Sequence, residues 1–226
     1  MKYKFLSSLN LSGKCPQILG HGNQGTVIKK GSYALKVFNL NARRKSDDDI
    51  EVAKKMAELP LKHFVTPYDI RFSNGKIQSY KMAIIHKDKD KRIVDMDIQD
   101  VIRNISEIRQ ESNILSENGI LIRDLQEHNI CVGRIGDDNS DSIIIYDFSD
   151  YTLSDSPNLK DLNNSEIETL LGSIAIYHEM SDVSPLILYD EIYSAYLKGN
   201  YSTLEEFFDK SIKKKTISQH IKSRIR

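Results

Sequence analysis

The chain has 226 residues, enough to bury a hydrophobic core in one domain or in two small lobes. Its 32 basic and 32 acidic residues balance, so the net charge gives no reason to expect a nucleic acid as partner. No apolar run approaches the roughly 18 residues of a membrane span, and Cys15 and Cys131 form neither a disulfide framework nor a metal-ligand pattern. We expect a monomeric cytoplasmic protein. A protein secreted into a host cell by a dedicated system would have the same composition.

A glycine-rich loop follows the first strand predicted within residues 17–38. Its spacing is G-x-G-x-x-G, and glycine lets main-chain N–H groups approach phosphate oxygens without a Cβ atom in the way. It lacks the G-K-S/T ending of a P-loop, and a strand and hairpin follow it rather than the helix of a dinucleotide-binding fold. This candidate phosphate-binding loop contains Gly20, Gly22, Gln24 and Gly25, and it ends at Val27.

A lysine in the third predicted strand fits a phosphate site. The strand follows a tight turn at Gly31 and Ser32. Because side chains alternate along a strand, Lys36 shares one face with Ala34 and Phe38. The small Ala34 beside an inward lysine leaves space for a flat ring. The alternative is an edge strand with a solvated lysine.

Residues 46–59 predict a helix that ends before Pro60. Acidic residues in its first turn stabilise the positive end of the helix dipole. Asp49 borders the apolar stripe of this helix, and Glu51 projects nearly opposite the stripe. Charge stabilisation of the helix start is a sufficient role for either acid.

Alternating segments on both sides of Asn74 and Gly75 predict a hairpin, which completes a five-stranded antiparallel sheet. The charged run at 86–92 predicts a solvated linker, because acids interrupt its basic residues and it lacks aromatic side chains. Apolar residues at helical spacing predict an amphipathic helix at 97–118.

Polar residues follow that helix at a characteristic spacing. The sequence Arg-Asp-Leu occupies 123–125, with Asn129 four residues later. A strand containing three isoleucines then ends at Asp147, and Phe148 and Ser149 follow it. Hard cations such as Mg²⁺ take oxygen ligands, so an acid at the end of a buried strand is a candidate metal ligand.

In this order, the segments resemble the signature of eukaryotic-type protein kinases over about residues 18–180. The resemblance implies an α+β, two-lobed kinase-like fold. Residues 1–86 would form the N-lobe, with the five-stranded antiparallel sheet and one helix, and 87–226 a reduced, mostly helical C-lobe. It also implies ATP and Mg²⁺ as cofactors, and transfer of the γ-phosphate to a protein hydroxyl, on serine or threonine.

The resemblance implies a role for each polar residue. Asp124 would orient the acceptor hydroxyl and take its proton, while Asn129 and Asp147 would hold Mg²⁺. On the later helix predicted at 165–180, Glu166 would brace the backbone of the loop that carries Asp124.

The resemblance also implies a nucleotide pocket. Lys36 would bind the α- and β-phosphates and pair with an acid of the first helix, either Asp49 or Glu51. The residues expected around the adenine, including the hinge at 83–85, are Val27, Ala34, Met82, Ala83, Ile85 and Cys131.

Three residues depart from the family pattern. Ile122 replaces a histidine, Gln126 replaces a lysine that contacts the transferred phosphate, and Ser149 replaces a glycine. No A-P-E motif follows; the polar stretch at 151–164 is the one candidate activation segment, and two short helices and a basic tail end the chain. Such compact kinases resemble bacterial effector or viral and phage kinases, which are often activated by a host partner. The alternatives are a sugar- or aminoglycoside-type small-molecule kinase, and a pseudokinase-like interaction module that binds nucleotide.

Overall fold

The computed structural model describes residues 17–22, 24–39, 47–73, 75–88, 91–135, 142–168 and 194–223. These residues form a mixed α+β structure with a five-stranded antiparallel sheet. They divide into two compact units. The first unit comprises the described residues of Met1–Ala57 and Pro67–Ile84, and the second those of Glu58–Thr66 and Ile85–Arg226.

The first unit contains the five-stranded sheet and one helix. Its strand order is β1-β2-β3-β5-β4. The elements are β1 (Ile18–His21), β2 (Gly25–Lys30), β3 (Tyr33–Phe38), α1 (Asp47–Glu58), β4 (Pro67–Ser73) and β5 (Lys76–Ala83). The antiparallel sheet and the helix predicted from the sequence are therefore confirmed.

Two tight turns fix the register of this sheet. Gly31 has φ 65° and Gly75 has φ 68°, conformations that glycine adopts readily. Ser73 pairs with Lys76 across the second turn, as the hairpin prediction requires, although Asn74 lies outside the described residues. The resulting register sets Lys36 opposite Val27 on one side and Tyr80 on the other.

The second unit is built around a 20-residue helix. Two small sheets accompany it, with strand orders β6-β8-β9 and β10-β7. Residues 194–198 are also helical. The remaining elements are β6 (Ile85–Lys87), α2 (Ile98–Glu117), β7 (Ile120–Leu121), β8 (Ile130–Ile135), β9 (Ser142–Ile145), β10 (Thr152–Leu153), α3 (Leu159–Glu168), α4 (Leu204–Ser211) and α5 (Ile217–Lys222).

Helix α2 supplies much of the core of the second unit. The carboxylate of Asp97 caps its first turn by accepting a hydrogen bond from the Gln99 backbone N–H at 3.0 Å. The helix then follows the predicted apolar spacing, and its four fully buried apolar residues are Val101, Ile105, Ile108 and Leu115.

The structure corrects three expectations for the second unit in part. The charged run at 86–92 is not only a linker, because His86 and Lys87 belong to β6 and pair with β8. The helix predicted at 165–180 begins earlier, at the buried Leu159. The predicted part beyond 168 lies outside the described residues. In the tail, whose basic composition is typical of a solvated chain end, Ile217 and His220 of α5 are buried.

A buried carboxylate fastens the segment that precedes β4. Glu111 of α2 accepts hydrogen bonds from the backbone N–H groups of Lys62, His63 and Phe64, at 2.8 to 3.4 Å. The His63 ring lies between the carbonyl of Ile143 and the carboxylate of Glu107, each at 2.8 Å. These contacts explain why residues 58–66 belong to the second unit, although β4 belongs to the first.

Candidate functional site

The glycine-rich loop joins β1 to β2, and its three glycines differ in how closely other atoms approach them. A Cβ atom at Gly25 would lie 2.2 Å from the carbonyl oxygen of Val37, so the pairing of β2 with β3 requires glycine there. No described atom lies within 4 Å of a Cβ built at Gly20 or Gly22. Contacts among the described residues therefore account for one glycine of the motif and leave space for a Cβ at the other two, although the Gly22 N–H donates to the carbonyl of Gly25 at 3.0 Å.

Lys36 is a buried cation in the middle of β3. The residue is only 7% exposed, and its Nζ lies 5.3 Å from the ring centroid of Phe38 and 6.0 Å from that of Tyr80. Burial of an ammonium group is unfavourable unless it is compensated, so an inward lysine at this position is unusual. The alternative of a solvated lysine on an edge strand is wrong.

Several residues predicted to line the nucleotide pocket lie next to Lys36. Val27 is its cross-strand neighbour, and Ala34, two residues before it, pairs with Met82. Ala34 and Met82 are both buried, at 2% and 9% exposure. Ala34 and Met82 are thus buried apolar residues beside Lys36 in this sheet, as the sequence predicts.

The two acids of α1 have different environments. Glu51 is exposed, and its ion pair is with Lys54, at 3.8 Å. Asp49 is half-buried and directly precedes the buried Ile50. Of the two candidate partners of Lys36, Glu51 is therefore engaged elsewhere.

In the second unit, both predicted catalytic acids have an unusual backbone conformation. Asp124 has φ 59° and Asp147 has φ 96°. Positive φ is uncommon for a residue other than glycine, and it persists where surrounding contacts hold it. Such residues concentrate at functional sites, so these two are candidates on structural grounds as well.

A hydrogen-bond network connects Asp124 to Asn129. The amide Nδ2 of Asn129 donates to the backbone carbonyl of Asp124 at 2.9 Å and to its Oδ2 at 2.8 Å. The amide of Gln126 donates to Oδ1 of the same carboxylate. Nε2 of His128 lies 3.8 Å from Oδ2. Asn129 is only 7% exposed, so the network fixes its side chain as well as that of Asp124.

Asp147 lies beside this network. The backbone N–H of the preceding residue, Tyr146, donates to the carbonyl of Asn129 at 2.8 Å, which ties the end of β9 to the start of β8. Oδ1 of Asp147 accepts hydrogen bonds from the backbone N–H of Ser149, at 3.1 Å, and from its hydroxyl. Asp147 is therefore adjacent along the chain to a residue that is hydrogen-bonded to Asn129, which in turn binds Asp124.

Glu166 of α3 braces the loop that carries Asp124. Its carboxylate accepts a hydrogen bond from the backbone N–H of Leu125, as the resemblance predicted. Burial raises the pKa of Glu166 above its ordinary value. The hydrogen bond from Leu125 and the positive charge of Arg123 oppose this increase.

Asn163 supports the same region, and Tyr151 is buried near its carboxylates. The fully buried Asn163 accepts a hydrogen bond from the backbone N–H of Ile122 at 2.8 Å and donates to the carbonyl of Ile120 at 2.8 Å. Burial raises the pKa of Tyr151, and the carboxylates of Asp147, Glu166 and Asp124 raise it further. The sequence offered no signal for either residue, since both lie in a polar stretch without periodicity.

The donor set fits Mg²⁺ better than a transition metal. Among the described residues, no three histidine, cysteine or acidic side chains converge on one point. Mg²⁺ needs fewer protein ligands, because it uses one or two carboxylates together with phosphate oxygens and water. The carboxylate of Asp147 and the amide oxygen of Asn129 have the required chemistry.

The other predicted adenine contacts lie at the ends of strands. Ala83 ends β5 in the first unit, and Ile85 begins β6 in the second. Cys131 lies in β8 and is buried, and that burial raises the pKa of its thiol to about 11. The thiol is thus protonated at neutral pH and presents an apolar surface.

Comparisons with known proteins add no assignment. No protein-family model matches the sequence, and a search of curated proteins finds no similar sequence. Within the part of the chain that the structure describes, no helix combines the length and apolar character needed to span a bilayer.

Proposed function

We propose that this protein is an ATP- and Mg²⁺-dependent phosphotransferase with a two-lobed, protein-kinase-like fold, acting on a hydroxyl of a protein, on serine or threonine. The observation that supports it most is the cluster of Asp124, Asn129 and Asp147. Asn129 is hydrogen-bonded to Asp124, Asp147 directly follows the residue whose backbone N–H binds the carbonyl of Asn129, and both acids have positive φ.

Phosphoryl transfer needs charge neutralisation and an aligned acceptor more than covalent chemistry from the protein. In the proposal, Lys36 binds the α- and β-phosphates, and Gly20 and Gly22 let the backbone approach them. Two observations in the first unit support this assignment: Lys36 is buried, and no described side chain or backbone crowds the position of a Cβ at the two glycines. Asp49 is the proposed partner of Lys36, since Glu51 pairs with Lys54.

In the second unit, Asn129 and Asp147 are the proposed ligands of Mg²⁺. The ion would supply charge neutralisation on the phosphate oxygens. Asp124 would hold the acceptor hydroxyl in line and accept its proton as the new bond to phosphorus forms. Its carboxylate is suited to this, because amide donors fix both oxygens and leave the side chain 27% exposed.

A protein acceptor is favoured over a small molecule by the Arg-Asp-Leu sequence at 123–125, which resembles protein kinases. We also propose that an additional partner, such as a host protein, activates the enzyme. No nucleic acid has a role in the proposed reaction.

The test is transfer from γ-labelled ATP with Mg²⁺, to protein acceptors and to sugars and aminoglycosides in parallel. We expect label on protein with the wild type and loss of that label with Asp124→Ala. Label on small molecules alone would contradict the protein acceptor. Stabilisation by ATP without any transfer would instead favour a nucleotide-binding interaction module.

A further inference from the structure

Each of the two reacting acids is held by the residue two positions further along the chain. The amide of Gln126 donates to Oδ1 of Asp124, and the hydroxyl of Ser149 donates to Oδ1 of Asp147. Gln126 and Ser149 are also two of the positions at which the sequence departs from the kinase pattern. The same local arrangement therefore occurs twice, with different side chains.

The backbone of the holding residue takes part at both acids. The N–H of Gln126 donates to the carbonyl of Asp124 at 2.9 Å, and the N–H of Ser149 donates to Oδ1 of Asp147 at 3.1 Å. A positive φ at an aspartate is strained and needs surrounding contacts to maintain it. Gln126 contacts both the backbone carbonyl and the carboxylate of Asp124, whereas both contacts of Ser149 are with the carboxylate of Asp147.

The two carboxylates are oriented in different ways. At Asp124, Gln126 binds Oδ1 while Asn129 binds Oδ2, so the group is held from both sides. At Asp147, the N–H and the hydroxyl of Ser149 both bind Oδ1. Two donors on one oxygen fix the direction of Oδ2 as well, because the carboxylate is planar.

We propose that Gln126 and Ser149 are positioning residues for the transfer reaction. Gln126 fixes the carboxylate of Asp124 that receives the hydroxyl proton, and Ser149 fixes the carboxylate of Asp147 that binds Mg²⁺. This inference rests on the proposed function, which assigns those two tasks to the acids. Because the two residues serve different steps, their substitutions have separable effects.

The variants at Ser149 address metal binding. Ser149→Ala removes the hydroxyl and keeps the backbone N–H, whereas Ser149→Thr keeps both. Calorimetry measures the binding of ADP at increasing Mg²⁺ concentrations. We expect Ser149→Ala to raise the Mg²⁺ concentration for half-maximal binding roughly tenfold, as is usual when a residue that orients a metal ligand is lost. Ser149→Thr should stay close to the wild type. Ser32→Ala, in the exposed turn between β2 and β3, is the matched control.

The variants at Gln126 address the transfer step. Gln126→Glu has the same length but places an acceptor and a negative charge against the carboxylate of Asp124. We expect kcat to fall roughly tenfold or more, while the KM for ATP and the Mg²⁺ dependence of ADP binding change by less than about twofold. A residue that only fills space would tolerate this substitution. Gln99→Glu, at an exposed position of α2, is the control.

Circular dichroism first establishes that each variant is folded. If the wild type neither binds ADP with Mg²⁺ nor transfers phosphate, the proposed function fails and this inference fails with it. If the wild type does both, the inference alone is overturned by wild-type Mg²⁺ dependence in Ser149→Ala, or by wild-type kcat in Gln126→Glu.

Discussion

The side chain of Asn163 should be a major support of the region around Asp124. It makes three hydrogen bonds, to the backbone of Ile122 and of Ile120 and to the hydroxyl of Ser116, at 2.8 to 2.9 Å. Asn163 is fully buried, so no water replaces these partners when the amide is removed. At about 1 kcal/mol for each net hydrogen bond, Asn163→Ala should lower the free energy of unfolding by about 3 kcal/mol.

In a chain of this size, that loss corresponds to a decrease in the unfolding midpoint of roughly 6–12 °C. Thermal unfolding followed by circular dichroism measures it. Asn163→Asp is a sharper variant, because it keeps an acceptor for Ile122 but turns an oxygen toward the carbonyl of Ile120 in a buried position. We expect it to be at least as destabilising at pH 7. Asn200→Asp, at an exposed position, is the control. A shift below about 2 °C for Asn163→Ala would refute the reasoning.

Two further predictions concern the glycine-rich loop and the response to pH. Gly25→Ala should destabilise the protein by about 1–3 kcal/mol, because its Cβ would lie 2.2 Å from the carbonyl of Val37. Gly22→Ala should change stability by less than about 0.5 kcal/mol yet weaken ATP binding in titrations, and the reverse pattern would contradict the assigned roles. The hydrogen bond from His63 is the main cause that lowers the pKa of Glu107 below its ordinary value of 4.5. The ionised Glu107 therefore stabilises the folded protein above pH 4.5, and this contribution is lost as the pH falls through the lower pKa of the folded state. The midpoint of the wild type should therefore fall more steeply below pH 4.5 than that of Glu107→Gln, and parallel curves would contradict this.

Local patterns predicted the elements well because each depends on neighbouring residues. The glycine at 75 specifies a hairpin turn by its conformation, and the apolar spacing of 97–118 specifies a helix by its periodicity. The spacing from Asp124 to Asn129 likewise identified residues that share a hydrogen-bond network.

Contacts between residues far apart in the chain could not be predicted in this way. Glu111 reads as one more polar residue of an amphipathic helix, yet it binds three backbone N–H groups of a segment about 48 residues earlier. Asn163 lies in the polar stretch that the sequence presents as a candidate activation segment, and its role could not be predicted because it depends on where α3 packs. Both are buried polar groups whose partners are mostly backbone atoms, which carry no sequence signal.

The central claim is that the cluster around Asp147 transfers the γ-phosphate of ATP with Mg²⁺. The most direct measurement compares γ-labelled with α-labelled ATP for the wild type and for Asp147→Asn, an isosteric variant without the carboxylate charge. Asp209→Asn, an exposed position of α4, is the matched control. We predict Mg²⁺-dependent transfer of the γ-label only, by the wild type and the control, and its loss in Asp147→Asn. Equal transfer by Asp147→Asn and the wild type would contradict the claim.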